Sequence, residues 1–303
     1  MYEIIIIGAG PAGLTAAIFA ARKNLSTLVL SQNIGGQSLL THKIENYPGV
    51  KNVEGRELAS TVFEQAKGFG VEIRQGVVIE RIAKKESGFE VIDVGGEKYF
   101  VRALIVASGK KPLSLGIPGE ERLSNKGVSY CSTSDAKTFK GKDVVVVGGG
   151  NAGLGAALDF LSFANKIYIL EFASKITGDE SIYSKLRKNS KVIFITDAKA
   201  QEIYGEKWVE GVSYLNRKTN NAFLVPCFGV SINVGQICST GFLENFVKLN
   251  EKREIEIDSE NKTSVEGVFA CGDVTNVPYK QWVIAAGEGA KAALSAYKYL
   301  KKG

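Results

Sequence analysis

Histidine is almost absent from this 303-residue chain, where His42 is the only one. It lies in a polar stretch and reads as a loop residue rather than as a catalytic base. Cysteine is scarce as well. Cys131, Cys227, Cys238 and Cys271 are too widely spaced for a zinc pattern or a disulfide framework. That spacing fits a reducing, cytoplasmic setting. No uncharged apolar run is long enough to span a membrane. The first apolar run is too short for a secretory leader and leads straight into glycines. Charge of one sign is nowhere concentrated, and the net +6 is spread along the chain. Lys298, Lys301 and Lys302 read as a solvated helix end, so nucleic acid is not expected as a partner. What remains is ordinary for a globular protein with large cores, 45% hydrophobic and 23% charged residues. The length fits about two domains.

The most informative stretch is residues 2–30. Ile4-Ile5-Ile6-Ile7 is short enough for one buried strand, and Gly8-Ala9-Gly10-Pro11-Ala12-Gly13 follows at once. A helical segment and a second apolar run, Thr27 to Leu30, complete a strand–helix–strand unit. Gly8 suits the tight turn, Gly10 admits a pyrophosphate to the backbone, and Gly13 lets helix pack on strand. Pro11 loses no useful donor in a first helical turn. The helix N-terminus would offer free N–H groups and a positive dipole end to phosphate. This is a dinucleotide site by pattern.

Further along, residues 32–49 form a long turn-rich connection, and residues 55–70 read as a helix. Strands are expected at 71–73, 77–82, 89–94, 99–101 and 104–106, and a linker at 110–121. The opening pattern then repeats. Val144 to Val147 is a strand, Gly148-Gly149-Gly150-Asn151-Ala152-Gly153 a second phosphate turn, and residues 154–163 a helix. A strand at 166–170 ends at Glu171. A final run, Val268-Phe269-Ala270, leads to Cys271-Gly272-Asp273 and a helix from about Gln281. That closing part needs a sheet to cover, and the first unit supplies one. The fold class expected is therefore α/β, with two Rossmann-like, three-layer β/β/α nucleotide-binding domains, the second inserted in the first. The expected boundaries are 1–113 and 241–303 for the outer domain and 114–240 for the insertion.

The stretches GAGPAG (8–13), GGQ (35–37), ENYPG (45–49), ASG (107–109), IPGE (117–120), KGVSYCSTSDA (126–136), GGGNAG (148–153) and 263–300 occur in this order. In them the chain resembles the low-molecular-weight thioredoxin reductase family, the class II FAD-dependent pyridine nucleotide-disulfide oxidoreductases. It resembles equally the reductase body of the alkyl hydroperoxide reductase flavoprotein. The resemblance implies a homodimeric oxidoreductase. FAD would be held by Gly8, Gly10, Pro11, Ala12 and Gly13, by Ser31 and Gln32 after the second strand, and by Gly36, Gln37 and Asn46. Ala107, Ser108 and Gly109 would join them, as would Gly272, Asp273, Lys280, Gln281, Trp282 and Val283. The inserted unit would hold a nicotinamide nucleotide through Gly148, Gly150, Asn151, Gly153 and Glu171. The implied acceptor is a thioredoxin-like or glutaredoxin-like protein disulfide.

Three departures from the family pattern bear on function. First, an acid usually holds the adenine ribose where Ser31-Gln32 stands. Second, NADPH-using relatives carry arginines after the strand of the inserted unit, where this chain has Glu171-Phe172-Ala173-Ser174. A carboxylate suits a free ribose diol and repels a 2′-phosphate, so NADH is favoured over NADPH. Gly155, and Gly235-Gln236-Ile237-Cys238 in place of a Gly-x-x-Pro turn, leave an alternative. In it no nicotinamide binds and ferredoxin is the donor. Third, the family's Cys-x-x-Cys-Asp reads Cys131-Ser132-Thr133-Ser134-Asp135. A mixed disulfide needs a second thiolate to resolve it, and a serine hydroxyl cannot do so. Ser134 is then an engineered trap, or natural in a relative that reduces oxygen, a quinone or another carrier, or else Cys271 stands in; a catalytically silent flavin-binding redox sensor is the other class of function left open. Asp135 matches the family's proton donor. It could equally cap a helix.

Overall fold

The structure is a computed structural model that describes residues 1–40, 44, 46–130 and 136–302. The chain divides into two units, residues 1–111 with 237–303, and residues 112–236.

The outer unit begins with β1 (Tyr2–Ala9), α1 (Pro11–Ala21), β2 (Thr27–Ile34), α2 (Gly55–Gly68) and β3 (Glu72–Gln75). It continues through β4 (Ile79–Lys85), β5 (Gly88–Asp93) and β6 (Lys98–Val106). β3, β2, β1 and β6 pair in parallel, in that order. The first half of β6 also closes an antiparallel meander with β5 and β4. One strand thus belongs to two layers. β1 alternates cleanly between them. Ile4 and Ile6 pack with Leu14 and Ala17 of α1 on one side, and Ile5 and Ile7 pack with Phe89, Val91 and Tyr99 on the other. A strand covered on both faces reads as an unbroken apolar run. Each such isoleucine contributes about 1.5–3 kcal/mol by burial.

The inserted unit repeats the plan. The chain crosses into it along β7 (Lys110–Pro112) and continues through β8 (Val128–Ser129), β9 (Val144–Val147), α3 (Asn151–Leu161) and β10 (Ile167–Leu170). α4 (Glu180–Arg187), β11 (Val192–Ile195), β12 (Ala198–Tyr204), β13 (Gly211–Asn216), β14 (Ala222–Pro226) and β15 (Gly229–Ile232) follow. Its sheet, β11-β10-β9-β15-β8, is parallel, and β12-β13-β14 forms the antiparallel layer. Val145 and Val147 face that layer, and Val144 and Val146 face α3. The chain returns along β16 (Gln236–Cys238), which pairs with β7. Then β17 (Val268–Ala270) joins β6 in parallel, and α5 (Trp282–Lys302) covers the sheet beside α1. A Cβ on Gly289 would lie 2.1 Å from the Ala12 carbonyl oxygen. Only glycine allows α5 so close to α1.

The architecture is the expected one, two Rossmann-like β/β/α layers with one unit inserted in the other. Two expected strands, at 99–101 and 104–106, are one continuous strand, because the partly buried Arg102 carries β6 from meander to parallel sheet. Among the described residues, no helix is long and apolar enough to cross a membrane.

Candidate functional site

The two glycine turns have nearly the same geometry, which locates two equivalent sites. Gly8 and Gly148 adopt φ +109° and +107°, and a Cβ on either would strike a carbonyl oxygen, of Ala107 at 2.3 Å or of Asn233 at 2.4 Å. A Cβ on Gly13 would sit 1.8 Å from the Gly8 oxygen, and one on Gly153 would sit 1.8 Å from the Gly148 oxygen. These four glycines are steric requirements. Gly10 differs, since a Cβ there meets nothing within 4 Å. It faces open space, as a residue approached by a ligand should.

Neither α1 nor α3 has a side-chain cap or an acid in its first turn. α4, by contrast, is capped by Asp179, which accepts from Ser181 and Ile182. Uncapped N-termini at both glycine turns leave several N–H donors aimed outward, the arrangement that binds phosphate. Pro11 occupies the first turn of α1 and Ala12 is buried under α5.

A second correspondence ties each turn to the strand beside it. The Ala9 N–H donates to Ser31 Oγ at 3.0 Å, and the Gly149 N–H donates to Glu171 Oε2 at 2.6 Å. Ser31 and Glu171 thus hold equivalent places. The Ser31 hydroxyl donates its proton to the Asn33 carbonyl, while Gln32 next to it is exposed. In the inserted unit Glu171 Oε1 also accepts from Ala173 N–H at 2.7 Å, which fixes the carboxylate at the lip of the turn. Asn151 Oδ1 accepts from Asp179 N–H, and Gly150 lies beside Thr177.

Around the first turn, residues distant in sequence converge. Gly36, at φ +55°, lies against Gly10, and Gln37 Nε2 donates to Asp273 at 3.3 Å. Asn46 donates to Gln281 at 3.0 Å, and the Trp282 indole N–H donates to Ser38 at 2.9 Å. Tyr47 meets the Trp282 ring edge-on. Ala107 is buried beside the turn, the Ser108 hydroxyl donates to the Ser239 carbonyl, and the Gly109 carbonyl accepts from Ser239 N–H. Lys280 Nζ donates to the Thr275 carbonyl at 2.6 Å, and Val283 is exposed on the first turn of α5. Lys110 is ion-paired to Glu254 at 2.7 Å.

Asp273 is the informative carboxylate here. Burial pushes its pKa up, and only partial relief comes from Lys280 and Lys110. Gly272 before it turns at φ +76° close to Ala12, so the carboxyl stands beside the phosphate turn. A buried acid with one long donor bond is arranged to accept hydroxyl donors. FAD supplies ribityl hydroxyls and a pyrophosphate, so the open Gly10, the uncapped α1 and Asp273 fit it. The raised pKa also sets a stability dependence. For a carboxyl raised in the folded state, the stability it lends is present below the unfolded-state pKa and is lost as pH rises through the folded value. In FAD-depleted protein at neutral pH, Asp273→Asn is expected to raise the melting temperature. The same substitution should weaken FAD binding by about tenfold or more, the loss of one charge-assisted bond. Calorimetry of depleted and reconstituted protein checks both signs.

Cys131, Ser134 and Asp135 lie outside the described residues, as does His42. Cys271 is fully buried against α1 and α5, and that burial pushes its thiol pKa up. Cys227 is likewise raised, to about 12. Neither offers a thiolate. Among the described residues no cluster of three or more potential metal ligands exists.

Residues 2–289 match the model of the pyridine nucleotide-disulphide oxidoreductase family. The chain belongs to that family. Curated relatives of this chain include a Bacillus subtilis protein named NADH dehydrogenase, 38% identical over 299 residues. That match covers 99% of this chain and 58% of the relative. A component of the Staphylococcus aureus alkyl hydroperoxide reductase is 38% identical, with 99% of this chain and 59% of the relative covered. The chain thus spans less than two thirds of these curated relatives. Among solved structures, Streptococcus pyogenes thioredoxin reductase superposes with a TM-score of 0.84 at 35% identity, covering 100% of this chain and 99% of that one. Lactococcus lactis thioredoxin reductase gives 0.79 at 33%, with both chains fully covered. The chain is therefore a member of this family similar to thioredoxin reductases, and the family implies FAD and a nicotinamide nucleotide.

Proposed function

We propose that the outer unit holds FAD and the inserted unit holds NADH, and that electrons pass from NADH through FAD along a relay built for a protein disulfide of thioredoxin-like or glutaredoxin-like type, a relay that Ser134, in place of the second sulfur, halts at the mixed disulfide. FAD, when bound, accepts a hydride and hands on electrons. The residues of the chain bind and orient. The N-termini of α1 and α3 take the two pyrophosphates, Asp273 takes flavin-side hydroxyls, and Gln37, Asn46, Gln281 and Trp282 brace the segment between them. The observation that carries NADH over NADPH is Glu171, fixed by two backbone donors with no arginine among the next three residues. The name of the Bacillus subtilis relative agrees with that choice.

A second reading rests on Ser134. Without a second sulfur at that position the chain would oxidise NADH towards oxygen, a quinone or another carrier, with no disulfide step. Ferredoxin as donor is the outcome if no nicotinamide nucleotide reduces the flavin. A cytoplasmic homodimer is the setting proposed for either reading.

The first test is cofactor content. Purified protein is expected to be yellow, with about one FAD per chain by absorbance after denaturation. Protein that stays colourless after incubation with excess FAD would remove the basis of this assignment.

A further inference from the structure

Phe172 follows Glu171 directly, at the end of β10, and its side chain is 53% exposed. A phenyl ring left in solvent beside a nucleotide turn calls for an explanation. It is not bare. The Arg217 guanidinium carbon lies 3.9 Å from the ring centroid, and Arg217 Nη1 donates to the Phe172 carbonyl at 2.8 Å. Arg217 comes from the hairpin after β13, 45 residues further along the chain. Its own N–H donates to the Asp197 carbonyl, and Asp197 N–H donates to the Ala173 carbonyl. Lys218 pairs with the Asp197 carboxylate at 2.9 Å. Asn216 Oδ1 accepts from Lys218 N–H and Thr219 N–H at the hairpin turn. The guanidinium is thus held over the ring by that bond and by the ring itself, and the Arg217 backbone is tied through Asp197 to Ala173, two residues past Glu171.

We propose that Arg217 and Phe172 form the adenine platform of the NADH site, with Arg217 as a specificity-determining residue that no sequence motif marks. This rests on the reading that the inserted unit takes NADH. Guanidinium and phenyl planes both stack on purines, and a two-layer stack held by backbone bonds is organised before the base arrives. Glu171 selects a ribose with a free diol, and the platform selects the ring that the ribose carries. Arg217 is in addition a cation close to where NADPH would place its 2′-phosphate. Its Nη1 is committed to the Phe172 carbonyl and its charge lies over the ring face, which favours stacking over a phosphate contact.

The test is titration calorimetry of the FAD-loaded protein with ADP-ribose and with 2′-phospho-ADP-ribose. The parent should bind ADP-ribose more tightly. Arg217→Ala and Phe172→Ala should each weaken ADP-ribose by about tenfold, as expected for a lost base stack. Arg217→Lys, which keeps the charge without the plane, should be nearly as weak as Arg217→Ala. Phe172→Tyr, which keeps the ring, should bind like the parent, and this separates stacking from a merely structural role. Unchanged affinity in both alanine variants overturns the platform while leaving the NADH reading intact. Full recovery in Arg217→Lys, or a loss confined to the 2′-phospho ligand, overturns stacking in favour of charge. An equal loss in Phe172→Tyr overturns it as well. A parent that binds neither ligand defeats the NADH reading and the platform together.

Discussion

Changing Ser134 to Cys is expected to convert a protein with no measurable disulfide turnover into one that turns over repeatedly. Disulfide exchange needs two sulfurs in sequence. In the proposed reading Cys131 would attack one sulfur of the substrate disulfide and release the other as a thiolate, which would leave a mixed disulfide. A second thiolate would then displace the bound thiol and form an internal disulfide with Cys131, and that disulfide would be reopened to two thiols by the two electrons that FAD, when bound and reduced, would supply. With Ser134 the sequence stops at the mixed disulfide. The unsubstituted chain should therefore accumulate a covalent adduct with a thioredoxin-like protein, visible by mass and cleaved by a thiol reductant. The assay is reduction of a thioredoxin-like disulfide or of Ellman's reagent, with the donor that bleaches the flavin. Turnover gained only by Ser134→Cys supports a disulfide reductase lacking one sulfur. If both forms consume donor with oxygen or quinone and neither reduces a disulfide, the second reading of function holds.

Gly13→Ala and Gly153→Ala should separate the two nucleotide sites. Each Cβ would meet a carbonyl oxygen at 1.8 Å, which no rotamer change relieves. Overpacking of this kind costs about 1–3 kcal/mol or more. Displaced from its phosphate turn, the corresponding site should lose about five- to a hundredfold in affinity. Gly13→Ala should be depleted of FAD or fail to fold. Gly153→Ala should keep FAD, stay yellow, and bleach with NADH only at much higher NADH concentrations. Loss of FAD from Gly153→Ala would show that the second turn does not act on its own nucleotide.

The turns were legible in the sequence because each glycine there answers a steric demand. Gly8, Gly13, Gly148 and Gly153 sit where a Cβ would strike backbone, so spacing alone reveals them. The apolar runs 4–7 and 144–147 were legible for a similar reason, since strands buried on both faces leave no polar positions. What spacing could not reveal is what meets across the fold. The bonds from Gln37 to Asp273 and from Asn46 to Gln281 join residues more than 230 positions apart. Arg217 reaches Phe172 from a hairpin in an antiparallel layer whose strands carry mixed polar and apolar residues and no motif. Ser31, where the family usually has an acid, holds the place that Glu171 holds in the other unit. Its hydroxyl donates to the Asn33 carbonyl and accepts the Ala9 N–H, the bond that Glu171 accepts from Gly149 in the other unit.

The central claim, that this chain is a flavoprotein reduced by NADH, is tested most directly by anaerobic stopped-flow mixing of the FAD-loaded protein with NADH and, separately, with NADPH. NADH is expected to bleach the flavin absorbance much faster than NADPH at equal concentration, because a carboxylate at Glu171 would repel a 2′-phosphate. Equal rates would contradict the role given to Glu171, and no bleaching with either nucleotide would contradict the account itself.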